Sequence, residues 1–496
     1  MSRAHTVPKH RTGIPGFDNI SEGGLPRARA TLIAGTAGSA KTVFATHFLA
    51  SGIIHEGEAG VFVTFEDRVE DIRANMLGFG WDIAKWEQEG KWMFVDAAPD
   101  PEEQTSIVGS FDLSGLLSRI ERAIRKVDAR RISLDSLNAL FVQFPEHPIL
   151  RAELFRITTT LKRLGVTVVF TGERVDEYGE VTRHGVEEFV ADNVIILRNL
   201  LDTERRRRTI EILKLRGAPH QRGEFPFTIT SRDGIIVIPL SGIELTQTSS
   251  TKRVTSGVKR LDEMCGGGFF RDSIVLVSGA TGTGKTLLVT QFMAGGFEAG
   301  ERCLLFAFEE SKDQLFRNAA AWGFDFEKME KSGRLKVVNR YPHAMAMEDH
   351  LVEMQQQIHD YKPTRVAVDS LSALERVSSL RSFREFVISL TSFLKKQETT
   401  GLFTSTTPSL LGGGSVTEKH ISTLTDSIIL LRYVESFGVM LRSLVLLKMR
   451  GAQHDSAIRQ YTIDGTGMHI GEPFEHVVGI LSGNPTWRLD AEDGEE

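Results

Sequence analysis

The sequence predicts an α/β protein of two tandem domains, each with a mostly parallel sheet and one phosphate-binding loop. Three observations lead to this prediction. The two halves of the chain repeat each other, each half alternates short apolar runs with amphipathic segments, and each half has a glycine-rich loop ending in Lys-Thr. Strands that alternate with helices form parallel sheets, and such sheets bind ligands at the carboxyl ends of their strands.

The internal repeat sets the domain boundaries. Residues near the start of each half match at an offset of 244, and later residues match at offsets of 243 and 234. The matches include Gly13 with Gly257, Asp18 with Asp262, Lys41 with Lys285, Asp135 with Asp369, Asp192 with Asp426, and Lys214 with Lys448. Solenoid repeats recur every roughly 20 to 50 residues, so one long period indicates a duplicated domain. We expect domains at residues 1–247 and 248–496, with a short insertion in the first between residues 66 and 135.

Composition argues against several classes of protein. The chain of 496 residues has 59 basic and 65 acidic side chains, and its net charge of -6 argues against binding to nucleic acid. Two cysteines argue against a disulfide framework and indicate a reducing compartment. No apolar run approaches the roughly 20 residues of a membrane span, and the N-terminus has no apolar leader. We therefore expect a cytoplasmic protein without a membrane partner.

Strand-like apolar runs occur in order along each half. In the first half they are ATLIAG (30–35), GVFVTF (60–65), RRISLD (130–135), VTVVFTG (166–172) and NVIIL (193–197). Longer segments such as DLSGLLSRIERAIRKV (112–127) have apolar residues at helical spacing. This order predicts strands that alternate with covering helices.

The second half has the sequence GATGTGKT at residues 279–286, directly after the apolar run SIVLV and before a helical pattern. A phosphate-binding loop requires this context. Its glycines let backbone N–H groups face phosphate, Lys285 contacts the β and γ oxygens, and Thr286 offers its hydroxyl to Mg²⁺. The alternative, a glycine-rich turn without chemical purpose, does not explain the lysine and threonine. We expect ATP contacts from Thr281, Gly282, Thr283, Gly284, Lys285, Thr286 and Leu287.

The first half has the sequence GTAGSAKT at residues 35–42, with Ala40 at the position where the motif has glycine. Alanine reaches fewer backbone angles than glycine, so this loop alone is weaker evidence for a nucleotide site. Its match to the second loop at the 244 offset strengthens the prediction. We expect ATP contacts from Gly38, Ser39, Ala40, Lys41, Thr42 and Val43.

Carboxylates follow two further apolar runs in each half. Asp135 and Asp369 end such runs, where P-loop ATPases have an acid that orients Mg²⁺, although a strand-end aspartate is often only a helix cap. The pairs Glu66–Asp67 and Glu309–Glu310 stand just after another run. Such pairs are commonly a solvated strand end, but beside a nucleotide one carboxylate can polarise the attacking oxygen.

Several motifs together resemble the KaiC family of clock ATPases and autokinases, over residues 12 to about 488. They are the doubled phosphate loop, FEE (308–310), KLRG (214–217), KMRG (448–451) and HISTLTDSIILLRYVE (420–435). The resemblance implies two RecA-like domains and six chains in a nucleotide-dependent double ring. It also implies ATP hydrolysis in the first domain, and phosphorylation and dephosphorylation of the chain's own Ser/Thr in the second.

Carried over by position, the resemblance makes Glu66 the water-activating carboxylate of the first domain. It makes Glu309 the base that prepares a hydroxyl in the second domain, assisted by Glu310. The expected Mg²⁺ ligands are Thr42, Thr286, Glu309, Asp135 and Asp369. The residues expected to contact ATP of a neighbouring chain are Lys214, Leu215, Arg216 and His220 in the first domain, and Arg442, Lys448, Met449 and Arg450 in the second. Trp322 resembles an adenine-side tryptophan; the alternatives are core packing for Trp322 and plain surface charge for the cations.

The hydroxyl-rich segment before residue 427 has two interpretations. It is either a polar loop that leads into a strand, or it contains reaction centres. The resemblance implies phosphorylation of Ser422 and Thr423. At the 234 offset these residues align with Glu188 and Phe189, so the first half has no acceptor hydroxyl at either position. A half that only hydrolyses ATP needs none, and this difference favours the second interpretation.

The resemblance also bears on partners. The segment SIVGSFDLSG (106–115) resembles the region near which a KaiB-like protein docks. The family's longer C-terminal tail, where a KaiA-like activator binds, is here the short acidic LDAEDGEE (489–496), so we expect autophosphorylation without such an activator. The first domain departs from the family pattern at Ala40, Asp67, Gly78 and Ala218, which bears on its rate of hydrolysis. Two other functions remain open from the residues: a RecA-type DNA-dependent ATPase motor, and a non-catalytic, nucleotide-gated scaffold.

Overall fold

The computed structural model describes the chain in ten ranges: 7–98, 113–143, 147–185, 187–202, 204–239, 249–407, 423–436, 438–475, 477–481 and 486–487. The chain divides into two compact units, Met1–Gly242 and Ile243–Glu496. No helix within the described residues is long and apolar enough to cross a membrane.

The first unit alternates strands and helices as the sequence predicts. Its strands are β1 (Lys9–His10), β2 (Leu25–Pro26), β3 (Ala30–Gly35), β4 (Gly60–Thr64), β5 (Trp92–Asp96), β6 (Arg131–Asp135), β7 (Thr167–Glu173), β8 (Asn193–Asp202), β9 (Arg205–Leu215), β10 (Glu224–Thr230) and β11 (Gly234–Val237). Its helices are α1 (Phe17–Ile20), α2 (Lys41–Ser51), α3 (Val69–Leu77), α4 (Ile83–Gln88), α5 (Leu113–Val127), α6 (Asn138–Gln143), α7 (His147–Arg163) and α8 (Glu187–Val190), with a π-helical turn at Gly52–Glu56.

The second unit repeats this order. Its strands are β12 (Arg253–Val254), β13 (Phe269–Phe270), β14 (Ile274–Gly279), β15 (Cys303–Ala307), β16 (Leu335–Asn339), β17 (Arg365–Asp369), β18 (Thr400–Thr406), β19 (Ser427–Ser436), β20 (Val439–Met449), β21 (Arg459–Asp464), β22 (Gly467–Pro473), β23 (Val477–Val478) and β24 (Thr486–Trp487). Its helices are α9 (Lys259–Met264), α10 (Lys285–Glu298), α11 (Lys312–Ala321), α12 (Phe326–Lys331), α13 (Met347–Tyr361), α14 (Leu371–Glu375) and α15 (Leu380–Lys396), with a 3-10 turn at Pro342–Ala344.

Each unit is built on a nine-stranded sheet. The orders are β11-β10-β9-β8-β3-β7-β6-β4-β5 and β16-β15-β17-β18-β14-β19-β20-β21-β22. Six neighbouring strands in each sheet are parallel, and three antiparallel strands extend one edge, namely β9, β10 and β11 in the first sheet and β20, β21 and β22 in the second. The predicted α/β class with mostly parallel sheets is therefore confirmed. The KLRG and KMRG segments begin at the last two residues of β9 and β20, respectively.

The central strand of each sheet is completely buried, as its apolar sequence requires. All six residues of β3 and all six of β14 are buried. Parallel strands covered on both faces by helices have near-continuous apolar sequences of this kind. Each central strand leads directly into a phosphate loop and then into α2 or α10, so the core fixes the position of the loop.

Candidate functional site

The two predicted phosphate loops lie at the carboxyl end of the central strand in each domain. Each loop turns into its helix through a residue in the left-handed region, Ala40 with φ 76° and Gly284 with φ 91°. The loop lysines fold back on their own loops. Lys41 Nζ donates to the carbonyls of Gly35 and Thr36 at 3.0 and 2.9 Å, and Lys285 Nζ does the same to the two equivalent carbonyls of the second loop, both at 2.9 Å.

Burial changes the proton affinity of these lysines. The pKa of Lys41 and that of Lys285 are both lowered, because burial disfavours the ammonium more than the nearby Asp135 and Asp369 favour it. A phosphate group that entered the loop would offer oxygens in place of the loop carbonyls. The lysines are therefore held close to the position at which they would meet an anion.

A threonine–aspartate pair follows each loop. Thr286 Oγ1 donates to Asp369 Oδ2 at 2.8 Å, and Thr42 makes the same type of bond to Asp135. Burial raises the pKa of both aspartates. A hydroxyl beside a strand-end carboxylate fits Mg²⁺, which takes few protein ligands and keeps waters and phosphate oxygens. Among the described residues there is no cluster of three His, Cys, Asp or Glu side chains that could hold a metal without the nucleotide.

Sequence reasoning missed a second hydroxyl on each aspartate. Thr171 donates to Asp135 and Thr404 donates to Asp369, each from the neighbouring strand. These threonines are 233 residues apart, one less than the 234 that separates the aspartates. A comparison of the two halves at an offset of 234 therefore does not align these threonines. Aligning the strand sequences VVFTGE and GLFTST directly does, because each has its threonine at the fourth position.

The candidate bases differ in their partners between the domains. Glu66 Oε1 accepts a hydrogen bond of 3.2 Å from Ser136 Oγ, and burial raises the pKa of Glu66. Glu309 Oε1 pairs with the Arg376 guanidinium at 2.7 Å. Glu310 Oε2 accepts from Asn318 at 3.2 Å, and burial followed by the charge of Asp369 raises its pKa. A raised pKa makes a carboxylate a better proton acceptor near neutral pH.

The KLRG and KMRG cations lie at the other end of each sheet. Asp426, which stands just before β19, accepts the backbone N–H of Ile274 at the start of β14, at 2.9 Å. Beside it Lys448 Nζ donates to the Thr425 carbonyl at 2.7 Å, and Arg450 approaches Asp426 at 3.8 Å. Since β14 has six residues and a strand rises about 3.3 Å per residue, these cations are about 17 Å from the loop of their own domain.

The first domain repeats this separation. Asp192 accepts the backbone N–H of Ala30, at the start of β3, at 3.1 Å. Lys214 Nζ donates to the Ala191 carbonyl at 2.9 Å, and Arg216 approaches Asp192 at 3.8 Å. In both domains, therefore, the downstream cations are far from the loop with which they share a sheet.

The remaining predicted contacts fall into two groups. Leu215 and Met449 are buried members of the apolar core, and Trp322 is half-buried against the second-domain core. His220 is half-buried. Arg442 differs from Lys448 and Arg450, because it lies over the ring of Tyr433 at 5.7 Å, and a side chain on Gly282 would meet the hydroxyl of that tyrosine. Arg442 is therefore close to the phosphate loop of its own domain.

The candidate acceptor segment is described only in part. Thr423 is exposed just ahead of β19, and its carbonyl accepts from Arg450 at 3.1 Å. Ser422 lies outside the described residues, as do the acidic tail at 489–496 and most of the predicted KaiB-like docking segment at 106–115.

Two phosphate loops on two mostly parallel nine-stranded sheets, each with a buried threonine–aspartate pair, define a duplicated nucleotide-binding P-loop ATPase. The model of the family described as "ATPase: KaiC" matches residues 10–242 and again 254–475. The chain belongs to the KaiC ATPase family.

Curated relatives match almost the whole chain. It is 63% identical over 486 residues to the Circadian clock protein KaiC3 of a Synechocystis species, with 98% of this chain and 96% of the relative covered. It is 54% identical over 485 residues to the Circadian clock oscillator protein KaiC of Synechococcus elongatus, with 98% and 93% covered. The KaiC protein of Thermosynechococcus vestitus is 55% identical over 480 residues, with 97% and 92% covered.

Proposed function

We propose that this chain is a timing ATPase that hydrolyses ATP in its first domain and phosphorylates its own Ser422 and Thr423 in its second. One observation carries the proposal: Thr423, Lys448 and Arg450 lie together at the end of the sheet opposite their own domain's phosphate loop. About 17 Å of buried strand separates the two ends, so the loop that serves Thr423 belongs to a second copy of the chain. The clock names of the relatives support the timing role.

In the second domain, the roles follow from the groups around the loop. Lys285 and the Thr286–Asp369 pair would hold the γ-phosphate and Mg²⁺ in line with the incoming hydroxyl; when bound, Mg²⁺ neutralises developing negative charge. Glu309 takes the hydroxyl proton as the hydroxyl oxygen bonds to the γ-phosphorus and ADP leaves. Arg376 holds Oε1 of Glu309, and Oε2 would be the oxygen that takes the proton.

In the first domain, water replaces the hydroxyl. Glu66, whose pKa burial raises, takes a proton from the attacking water, and Ser136 orients the carboxylate. The positions that match Ser422 and Thr423 are Glu188 and Phe189, which have no hydroxyl to accept phosphate. The products are therefore ADP and phosphate.

This arrangement requires an assembly in which ATP lies between chains, and we propose the homohexameric double ring of the family. Lys214 and Arg216 would reach ATP of the neighbouring first domain, as Lys448 and Arg450 would in the second. A KaiB-like protein is the proposed partner at residues 106–115.

Mixing two inactive variants tests transfer between chains. The Glu309→Gln variant keeps both acceptors and loses the base, while the Ser422→Ala, Thr423→Ala double variant keeps the base and loses both acceptors. After separate incubation with Mg-ATP, intact-mass analysis should find no added phosphate on either. After mixing, we expect phosphate on the Glu309→Gln chain, mapped to Ser422 or Thr423. If the mixture stays unmodified although wild-type chains gain phosphate, transfer between chains is wrong.

Glu66→Gln is the matched control for the first domain. It should reduce ADP release by about 100-fold or more at the first site, since general base catalysis typically contributes 10²- to 10⁴-fold. Phosphate incorporation at Ser422 and Thr423 should remain. Loss of incorporation without loss of ADP release would contradict the assigned division between the domains.

A further inference from the structure

Each phosphate loop is attached to a neighbouring segment by a hydrogen bond that the other loop does not make. In the second domain, the Tyr461 hydroxyl on β21 donates to the backbone carbonyl of Thr283, inside the loop. Tyr461 is 2% exposed, so the bond is shielded from water. Strand pairing matches Tyr461 with Phe227 of the first domain, because Tyr461 lies opposite Arg442 and Phe227 lies opposite Arg208. Phe227 has no hydroxyl to donate.

In the first domain a carboxylate makes the attachment. Thr36 Oγ1 donates to Glu177 Oε1 at 2.7 Å, and the backbone N–H of Asn199 donates to Glu177 Oε2 at 3.1 Å. The Glu177 carbonyl also accepts from Arg198 Nε at 3.0 Å. At the 244 offset Thr36 matches Ala280, which has no hydroxyl, so the second loop cannot make this bond.

Both attachments have the geometry that a phosphate loop needs. Such a loop binds phosphate with backbone N–H groups that face inward, so an outside partner that holds a carbonyl or a side chain keeps those groups in place. Tyr461 acts on the carbonyl next to Gly284, and Glu177 acts on the first side chain after β3. Arg198 in turn pairs with Glu211 and Glu224 at 2.6 and 2.8 Å, which makes Glu177 part of a fixed network.

We propose that Tyr461 and Glu177 are positioning residues, each specific for one nucleotide site. Without its partner, a loop spends less time in the conformation that binds ATP, and the apparent dissociation constant rises in proportion. The affinities of the two sites can therefore change independently of each other. This inference goes beyond the phosphotransfer proposed above, because it concerns nucleotide binding alone.

Amide hydrogen exchange of the full chain measures nucleotide binding at both loops in the same molecule. Peptides that cover residues 36–44 and 280–288 report the two loops as a non-hydrolysable ATP analogue is titrated in with Mg²⁺. For Tyr461→Phe we expect the analogue concentration that half-protects the second loop, its midpoint, to rise about tenfold, as loss of one buried hydrogen bond predicts. The midpoint of the first loop should stay within twofold. For Thr36→Ala, which makes the first loop resemble the second, we expect the reverse.

Two controls separate positioning from general destabilisation. Tyr361→Phe removes another tyrosine hydroxyl of the second domain, which donates to the Gly333 carbonyl at 2.8 Å away from both loops. It should leave both midpoints unchanged. Glu177→Gln keeps an acceptor for Thr36 and should preserve the first midpoint, whereas Glu177→Ala should raise it. Equal shifts at both loops in Tyr461→Phe, or no shift at either, would overturn the proposal.

Discussion

Ala40 and Gly284 occupy matching positions with the same backbone conformation and different side chains. Both have a positive φ, which costs an ordinary residue about 1 kcal/mol or more and costs glycine almost nothing. A Cβ on Gly284 would also come within 2.8 Å of Ile463 Cδ1, the movable end of a side chain. The first domain therefore tolerates a strained alanine at a position where the second has glycine.

We predict that Gly284→Ala lowers the local stability of the second loop by about 1–2 kcal/mol, mainly through its backbone angle. Ala40→Gly should change the first loop by less than about 1 kcal/mol, because relief of strain is offset by greater freedom of the unfolded chain. Hydrogen exchange of the two loop peptides measures both effects. An unchanged second loop in Gly284→Ala would show that this conformation is not strained.

His47 connects the stability of the first domain to pH. Its ring packs against Trp81 in a tilted arrangement with ring centroids 4.8 Å apart, and Nδ1 accepts from the backbone N–H of Ile235 at 3.3 Å. Burial lowers the pKa of His47 to about 3. In the unfolded chain the pKa of His47 is near 6.5, so between about pH 6.5 and 3 the unfolded state binds a proton on His47 and the folded state does not. The free energy of unfolding therefore falls as the pH drops through this range.

The expected loss from this histidine between pH 7.5 and pH 5.5 is about 1.4 kcal/mol. His47→Gln keeps a hydrogen-bond acceptor but does not titrate in this range. Urea unfolding at both pH values, followed by tryptophan fluorescence, should show a smaller acid effect in the variant by about that amount. If acid lowers the free energy of unfolding equally in the two proteins, folded His47 binds a proton as readily as unfolded His47, and the prediction is wrong.

At the scale of elements, the paired strands β8–β9 and β19–β20 carry the downstream cations away from their own loops. Each pair has a register shift at its start, at Val194/Ile195 and at Ile428/Ile429. Lys214 on β9 and Lys448 on β20 lie at these register shifts, opposite Val194 and Ile428. Burial lowers the pKa of each lysine. The irregular register turns each lysine toward a carbonyl at the sheet end.

We predict that Lys448→Met or Lys214→Met weakens nucleotide-dependent assembly by at least tenfold in chain concentration and leaves the unfolding of the single chain nearly unchanged. Methionine keeps the apolar stem and removes the charge that would reach ATP of a neighbour. Lys331→Met, at an exposed site paired with Glu327, is the control. Sedimentation at several protein concentrations with Mg-ATP makes the comparison, and normal assembly of both variants would exclude these lysines from the interface.

At the scale of the whole molecule, the opposite placement of loops and cations supports the proposal that ATP lies between chains. We predict that the 55.1 kDa chain assembles with Mg-ATP and dissociates when the nucleotide is removed, because the cations then repel across the interface without an anion between them. Gel filtration with and without ATP measures this. The same small species under both conditions would contradict the arrangement.

Much of this protein could be predicted from its sequence. The alternation of strands and helices and the loops at Lys41 and Lys285 follow from local patterns, and the repeat at 244 and 234 residues follows from comparing the chain with itself. The contrast of Ser422 and Thr423 with Glu188 and Phe189 is of the same kind. Membership of the KaiC family follows from these motifs, and the family comparison confirms it.

Only the tertiary structure decided which side chains meet across distant segments. The hydroxyls of Thr171 and Thr404 on the buried aspartates, the pairing of Arg376 with Glu309, and the attachment of Thr283 to Tyr461 join residues from segments that are far apart in the sequence. The position of Lys448 at the far end of its sheet is equally invisible in the motif KMRG. Local sequence determines which chemistry each segment can perform, because motifs act through neighbours in the chain. The register of strands determines which of these groups share a site, because it brings together residues that the sequence separates.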